Sequence, residues 1–240
     1  MSNYTHKTLK KIYHQPPKKA QYSPHQWNTP TFGNTIQITP IDNTERQSII
    51  GTFFYYACAV DPTIFPVIND IASAQAAPTG QIKEKLKVLL EYMHTYPKAK
   101  IRFHASKMIL NIDSDAAYLI LPGAKSRVAG YYHMSTTPDP TTTSTQERNG
   151  AIHVECKALR RVVSSTAEAK TTAIFHNAKT AIEIRHTLET LGRPQPPTPL
   201  KTKNSTSLGF VKNLVNLKSN KSWDMRFHWL QEKKTKKTYK

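Results

Sequence analysis

Residues 108–114 read MILNIDS, residues 127–135 read RVAGYYHMS and residues 151–159 read AIHVECKAL. These short runs are rich in β-branched and aromatic residues, which is the signature of strands. KIRFHAS, at 100–106, has the same rhythm and reads as a further β-type run. The last two runs are separated by TTPDPTTTSTQERNG, at 136–150, a threonine- and proline-rich loop without an apolar anchor. Downstream, Ser165-Thr166 suits the cap of a long helix carrying Ala169, Ala173, Ile174, Ala178, Ile182 and Leu188, which Gly192 closes. RPQPPTP, at 193–199, is a stiff connector. PLKT (199–202) is a short strand, STSLGFVKNLV (205–215) a helix, and the basic, aromatic SWDMRFHWLQEKK (222–234) a last helix. Strands, a long helix, then a strand and a helix make an α/β domain with a mixed sheet and flanking helices.

Upstream of this block the period changes. TERQSIIGTFFYYACAV, at 44–60, reads as a buried helix ending at Asp61-Pro62, and a second helix starts near Pro62, which fits a first helical turn. Ile82, Leu86, Leu89, Leu90 and Met93 fall at helical spacing opposite Lys83, Lys85 and Lys87, and Pro97 stops this third helix. Residues 1–44 have prolines at 16, 17, 24, 30 and 40 and no sustained period, so they read as an extended basic lead-in. The expected organisation is lead-in 1–44, helical segment 45–98, α/β domain 99–232 and polybasic tail 233–240.

A formal charge of +18 on 240 residues attracts polyphosphate backbones and favours salt-dependent binding without sequence preference. The lysines do not follow one amphipathic helix, and no apolar run approaches the roughly 18 residues of a membrane helix, so no membrane partner is expected. The polar, basic start MSNYTHKTLKKIYHQPPKK has no apolar core of a secretory signal. Cys58 and Cys156 are far apart and supply neither a disulfide framework nor zinc-ligand spacing, so an intracellular, reducing setting is expected. There is no Gly-rich phosphate loop, no Gly-x-Ser-x-Gly elbow and no His-Glu-x-x-His.

Six segments resemble a known family in the same order. GTFFYYACAVDPTIFPVINDIA (51–72) is similar to the segment after the polymerase thumb of copia-type retrotransposon polyproteins, and KEKLKVLLEYM (83–93) to the helix that follows it. DSDAAYL (113–119) resembles the family's first ribonuclease H strand, and SSTAEAKTTAIFHNA (164–178) its Ser-Thr-Glu-Ala-Glu helix. KTKNSTS (201–207) stands where the family reads Asp-Asn plus a small polar residue, and KSWDMRFHWLQE (221–232) resembles its Trp-Asp-x-Arg-aromatic helix. The resemblance implies a ribonuclease H-like mixed sheet preceded by a small helical unit from the C-terminal end of a reverse transcriptase. The family's Tyr-x-Asp-Asp polymerase motif would lie upstream of these segments, and no Asp-Asp pair occurs in the 240 residues.

The chemistry that the resemblance implies is two-metal hydrolysis of the RNA strand of an RNA–DNA hybrid. Carboxylates hold two Mg2+ ions about 4 Å apart, and Mg2+ demands oxygen ligands. Carried over singly, the first carboxylate falls on Asp115, at the end of the first strand. The second falls on Lys170 and the third on Lys203. The fourth would follow the aromatic helix, beyond Lys240. Two like charges about 4 Å apart repel by about 4 kcal/mol at an effective dielectric near 20, so each lysine facing a divalent ion costs about twice that. The expectation is a decayed site that binds no Mg2+ productively. The alternative is an active hybrid endoribonuclease that recruits Asp113, Glu168 and Glu155 beside Asp115. Glu168 argues against it, because it lies two residues from Lys170, roughly 200° around a helix.

Charge-driven nucleic-acid binding is assigned to Lys201, Lys221, Arg226, Lys233 and Lys234, and the tail KKTKKTYK fits a disordered nucleic-acid arm or a nuclear-import signal, such runs being usually solvated tails. Trp223 and Phe227 read as packing against the sheet and Trp27 as an anchor to the helical unit. Of Tyr131 and Tyr132, one is expected buried and one exposed. The helical segment lacks the polymerase parts it would pack against, so its apolar face is a candidate for self-association.

Overall fold

The computed structural model describes residues 3–26, 40–74, 80–136, 148–203, 221–236 and 238–239. The chain forms two compact units, Met1–Ile101 and Arg102–Lys240.

The first unit is helical: α1 (Tyr4–Lys11), α2 (Pro40–Ala59), a 3-10 turn at Pro62–Ile64, α3 (Phe65–Ser73) and α4 (Gly80–Thr95). Asp61 caps the turn by accepting from the Thr63 backbone N–H at 3.2 Å, and Pro62 fills the first position, where no N–H is needed. Ile49, Ile50, Phe53 and Tyr56 of α2 are buried, as are Ile64, Ile68 and Ile71, and Leu89 and Met93 of α4. Lys83 and Lys87 face water, but Lys85 turns to Asp70 at 3.2 Å, where His25 also reaches at 3.1 Å. The lead-in is not extended throughout, because residues 4–11 are α1. Its Thr5 and Leu9 are buried, and Tyr4 stacks on Tyr56 with ring centroids 5.9 Å apart. An amphipathic turn that buries one leucine was hidden by the lysines around it. Trp27 lies outside the described residues.

The second unit carries β1 (Ile109–Leu121), β2 (Lys125–Ser135), β3 (Ala151–Ala158), α5 (Thr166–Thr190), β4 (Leu200–Thr202) and α6 (Lys221–Thr235). The sheet order is β3-β2-β1-β4. The first three strands are antiparallel neighbours, joined between β1 and β2 by a tight turn in which Gly123 takes φ 71°. The chain then crosses through α5 and returns as β4, parallel to β1, with Ile112 opposite Leu200 and Ser114 opposite Thr202. α5 begins and ends where the sequence places it. Ser165 caps it by accepting from the Glu168 N–H at 3.1 Å, and Gly192 follows its end at φ 76°.

Leu110, Ile112, Tyr132 and Met134 of the sheet pack with Ile174, Ala178 and Ala181 of α5 and Leu230 of α6. Val128, Leu159, Val163, Ala169 and Ala173 form an adjoining cluster. α5 comes close to the sheet at Gly130, where an added Cβ would lie 2.5 Å from the Asn177 Oδ1. Asn177 is fully buried and donates from Nδ2 to the Ser114 Oγ at 2.7 Å and to the Ala129 carbonyl at 2.9 Å, while the Tyr132 hydroxyl lies 3.2 Å from its Oδ1. A buried amide satisfied on both sides fixes the register of helix on sheet.

Three expectations change. KIRFHAS is not a strand. The Asn149 side chain instead pairs with the His104 N–H (2.8 Å) and carbonyl (2.9 Å), and the Gly150 N–H donates to the Arg102 carbonyl at 2.9 Å. Tyr131 is half-buried rather than exposed, covered by the Arg148 guanidinium 5.4 Å from its ring. The tail does not float. Tyr239 is buried in the α5 cluster with its hydroxyl donating to the Ala178 carbonyl, and the Thr198 N–H donates to the Thr238 carbonyl at 3.0 Å. Residues 205–215, read as a helix, lie outside the described residues.

Candidate functional site

Asp115 lies within β1, not at its end, since the strand continues to Leu121. Its side chain is 58% exposed, and Oδ1 stands 3.4 Å from the Lys170 Nζ of α5. The β1–β4 ladder ends at Ser114 and Thr202, and Asp115 and Lys203 are the next residues on the two chains. Two positions distant in sequence, Asp115 and Lys170, therefore meet in an ion pair, and Lys203 follows the last paired residue of β4. The ion pair there is solvent-exposed and contributes about 0–1 kcal/mol. Its consequence is chemical: the one carboxylate is already facing an ammonium.

The other acids are engaged elsewhere. Asp113 accepts from the Arg148 Nε at 2.9 Å, with the His133 Nε2 at 3.7 Å. Burial pushes His133 below the usual histidine value, Asp113 pulls it up, and Lys201 and Arg148 push it down again. Lys201, exposed, sits opposite Asp113 in the parallel register. Glu168 completes the α5 cap. Its Oε2 accepts from the Ser164 N–H at 2.7 Å and from the Ser164 hydroxyl at 2.8 Å. Glu155 ties β3 to α5, accepting from the Thr180 hydroxyl at 2.7 Å and pairing with the Lys157 Nζ at 2.9 Å and the His153 Nε2 at 3.6 Å. Burial alone would raise its carboxyl, but these bonds from His153, Lys157 and Thr180 hold it down at about 2.

No three His, Cys, Asp or Glu side chains among the described residues are placed to hold a metal ion together. The magnesium pair that the resemblance implies is not matched by this donor set, which is one exposed carboxylate paired with an ammonium. No chemical step is assigned to it.

Of the residues assigned to nucleic-acid contact, Arg226 donates from Nη1 to the Thr172 hydroxyl at 2.8 Å. Lys233 lies over the Trp229 ring at 5.6 Å, and Lys234 is exposed. Trp229 packs edge-on against Phe175 with centroids 5.1 Å apart, which leaves it a core role. The side chains of Lys221, Trp223 and Phe227 lie outside the described residues. Sequence reading missed Arg148 as the partner of Asp113. It also missed the concentration of Lys157, Arg160, Arg161 and Arg226 around one pocket. Only the Arg160-Arg161 pair after β3 signalled the latter.

No helix among the described residues is long and apolar enough to cross a membrane. No protein-family model, curated protein or solved structure matches the chain.

Proposed function

We propose that the second unit is a ribonuclease H-like domain of copia-type retroelement origin that has lost its metal site and binds nucleic acid by charge, and that the first unit derives from the end of a reverse transcriptase. The observation that supports this reading is the Lys170–Asp115 ion pair, one residue past the end of the β1–β4 ladder, after which Lys203 follows. Those are the positions onto which the family's carboxylates fall, and a four-strand mixed sheet flanked by helices fits the fold that the resemblance implies. Two ammonium groups at such a site attract phosphate oxygens instead of cations. The acids that would rebuild a metal site are held in a helix cap, in a β3–α5 tie and under Arg148. An RNA–DNA hybrid, bound without sequence preference, is the partner this charge distribution suits.

The test is fluorescence anisotropy of a labelled hybrid across a salt series. Affinity is expected to fall steeply with salt, and Lys170→Ala/Lys203→Ala should reduce the log–log slope by about 2, roughly one unit for each phosphate no longer neutralised. Binding that ignores salt, or no binding at low salt, sinks the reading.

A further inference from the structure

A second basic feature lies away from Asp115. A pocket of about 370 Å³ opens between the end of β3, the middle of α5 and α6, roughly a dozen waters' worth of liquid volume. Lys157, Arg160, Arg161, His176 and Arg226 line it together with Thr172, and no acid among the described residues does. Leu159 and Val163, both buried in the core, contribute apolar wall. Lys170 and Thr172 are two residues apart, roughly 200° around α5, so this pocket and the Asp115 edge use different faces of one helix.

Three observations give the pocket a chemistry. The Thr172 hydroxyl, on a residue 2% exposed, accepts from the Arg226 Nη1 at 2.8 Å, which fixes the guanidinium against the wall. Arg160 and Arg161 are exposed and make no ion pair among the described residues, so their charges are available. Among the described residues, the carboxylate paired with one of the pocket's cations is Glu155, which holds Lys157 on Oε2 while Oε1 accepts from the Thr180 hydroxyl. Among the described residues, four cations (Lys157, Arg160, Arg161 and Arg226) against that one carboxylate leave an excess of three positive charges. His176 registers this field. Burial first, then Lys157, Arg226 and Lys179, hold it below the usual histidine value against the pull of Glu155. Guanidinium forks meet phosphate oxygens in pairs, and a dry wall strengthens the contact.

We propose that this pocket is a phosphate-binding subsite, in which the guanidiniums of Arg226, Arg160 and Arg161 and the ammonium of Lys157 receive the oxygens of one phosphoryl group. That group belongs either to a nucleic-acid backbone or to a free phosphate compound. The first source rests on the function proposed above, and the pocket itself does not.

The experiment uses the full chain and inorganic pyrophosphate at low salt, with the His176 imidazole signals followed by NMR and assigned by their loss in His176→Gln. Pyrophosphate is expected to shift those signals and raise the pH at which His176 titrates. Arg160→Ala/Arg161→Ala, at two exposed positions, should weaken pyrophosphate binding by about tenfold or more. Lys170→Ala/Lys203→Ala should leave it unchanged. A labelled hybrid forms the second arm. If the arginine variant also weakens the hybrid, the phosphate is a backbone phosphate; if it weakens pyrophosphate alone, the pocket takes free phosphate compounds, and either result supports the subsite. No response of His176 to pyrophosphate, or an equal loss in the lysine variant, overturns it. Failure of the proposed function reads separately, as hybrid binding whose salt slope the lysine variant does not change.

Discussion

Gly130→Ala tests the contact that seats α5 on the sheet. The new methyl carbon would lie 2.5 Å from the Asn177 Oδ1, 2.8 Å from its Cγ and 2.9 Å from the Tyr132 Cε2. Neither neighbour is a free end. Asn177 is fully buried and donates to the Ser114 Oγ and the Ala129 carbonyl, and Tyr132 is buried on its other side. Room is made only if the amide swings out of at least one bond, at about 1 kcal/mol per bond broken, on top of overpacking worth about 1–3 kcal/mol. Alanine returns about 0.5–1 kcal/mol by restricting the unfolded chain. The net loss is about 1–3.5 kcal/mol, a fall of roughly 0.5–2 M in the urea midpoint for a slope of about 2 kcal/mol per M. Urea unfolding read by hydrogen exchange in peptides covering residues 125–135 isolates the second unit. Asn177→Ala removes the obstructing atoms, so the double variant should cost less than the sum of the singles. A single variant within about 0.5 kcal/mol of the parent, or strictly additive costs, refutes the reasoning.

Three further outcomes are expected. Lys170→Glu/Lys203→Asp puts two acids beside Asp115 and should confer Mn2+ binding that calorimetry does not find in the parent; no gain means that the three side chains do not converge. Glu155 is held at about 2, below its unfolded value near 4.5. A depressed carboxyl stabilises the fold above the unfolded value and loses that contribution as pH falls through the folded one, so about 3 kcal/mol should disappear between about pH 5 and 2. Glu155→Gln should flatten the parent's loss over that window, and parallel curves would assign the acid sensitivity to other groups. Tyr239→Ala removes a buried ring from the α5 cluster and its bond to the Ala178 carbonyl, and should cost about 3 kcal/mol in chemical unfolding; a solvated tail would show no change.

What was legible in the sequence was what neighbours in the chain determine. Ser165 and Gly192 mark the ends of α5, Pro62 and Pro97 punctuate the helical unit, and the runs at 108–114, 127–135 and 151–159 fall in β1, β2 and β3. KIRFHAS has strand composition, but composition does not say where backbone groups find partners, and here Asn149, some 45 residues on, supplies them. Tyr239 is hidden for the same reason, since a tyrosine among lysines reads as tail until its contact with Ala178 is seen. At the candidate site, the residue types at Asp115, Lys170 and Lys203 could be read, and the pairing of Asp115 with Lys170 could not. The engagement of Asp113 by Arg148, and the assembly of one basic pocket from β3, α5 and α6, depend on tertiary packing alone.

The most direct test is cleavage of a labelled RNA–DNA hybrid by the folded full chain, in Mg2+ and then in Mn2+, with Asp115→Asn alongside. If Lys170 and Lys203 stand at lost metal positions, as proposed, the chain should cut no faster than buffer in either metal, while still binding the hybrid at low salt. Cleavage that Asp115→Asn abolishes would mean that neighbouring acids have rebuilt a working site, and would contradict the account.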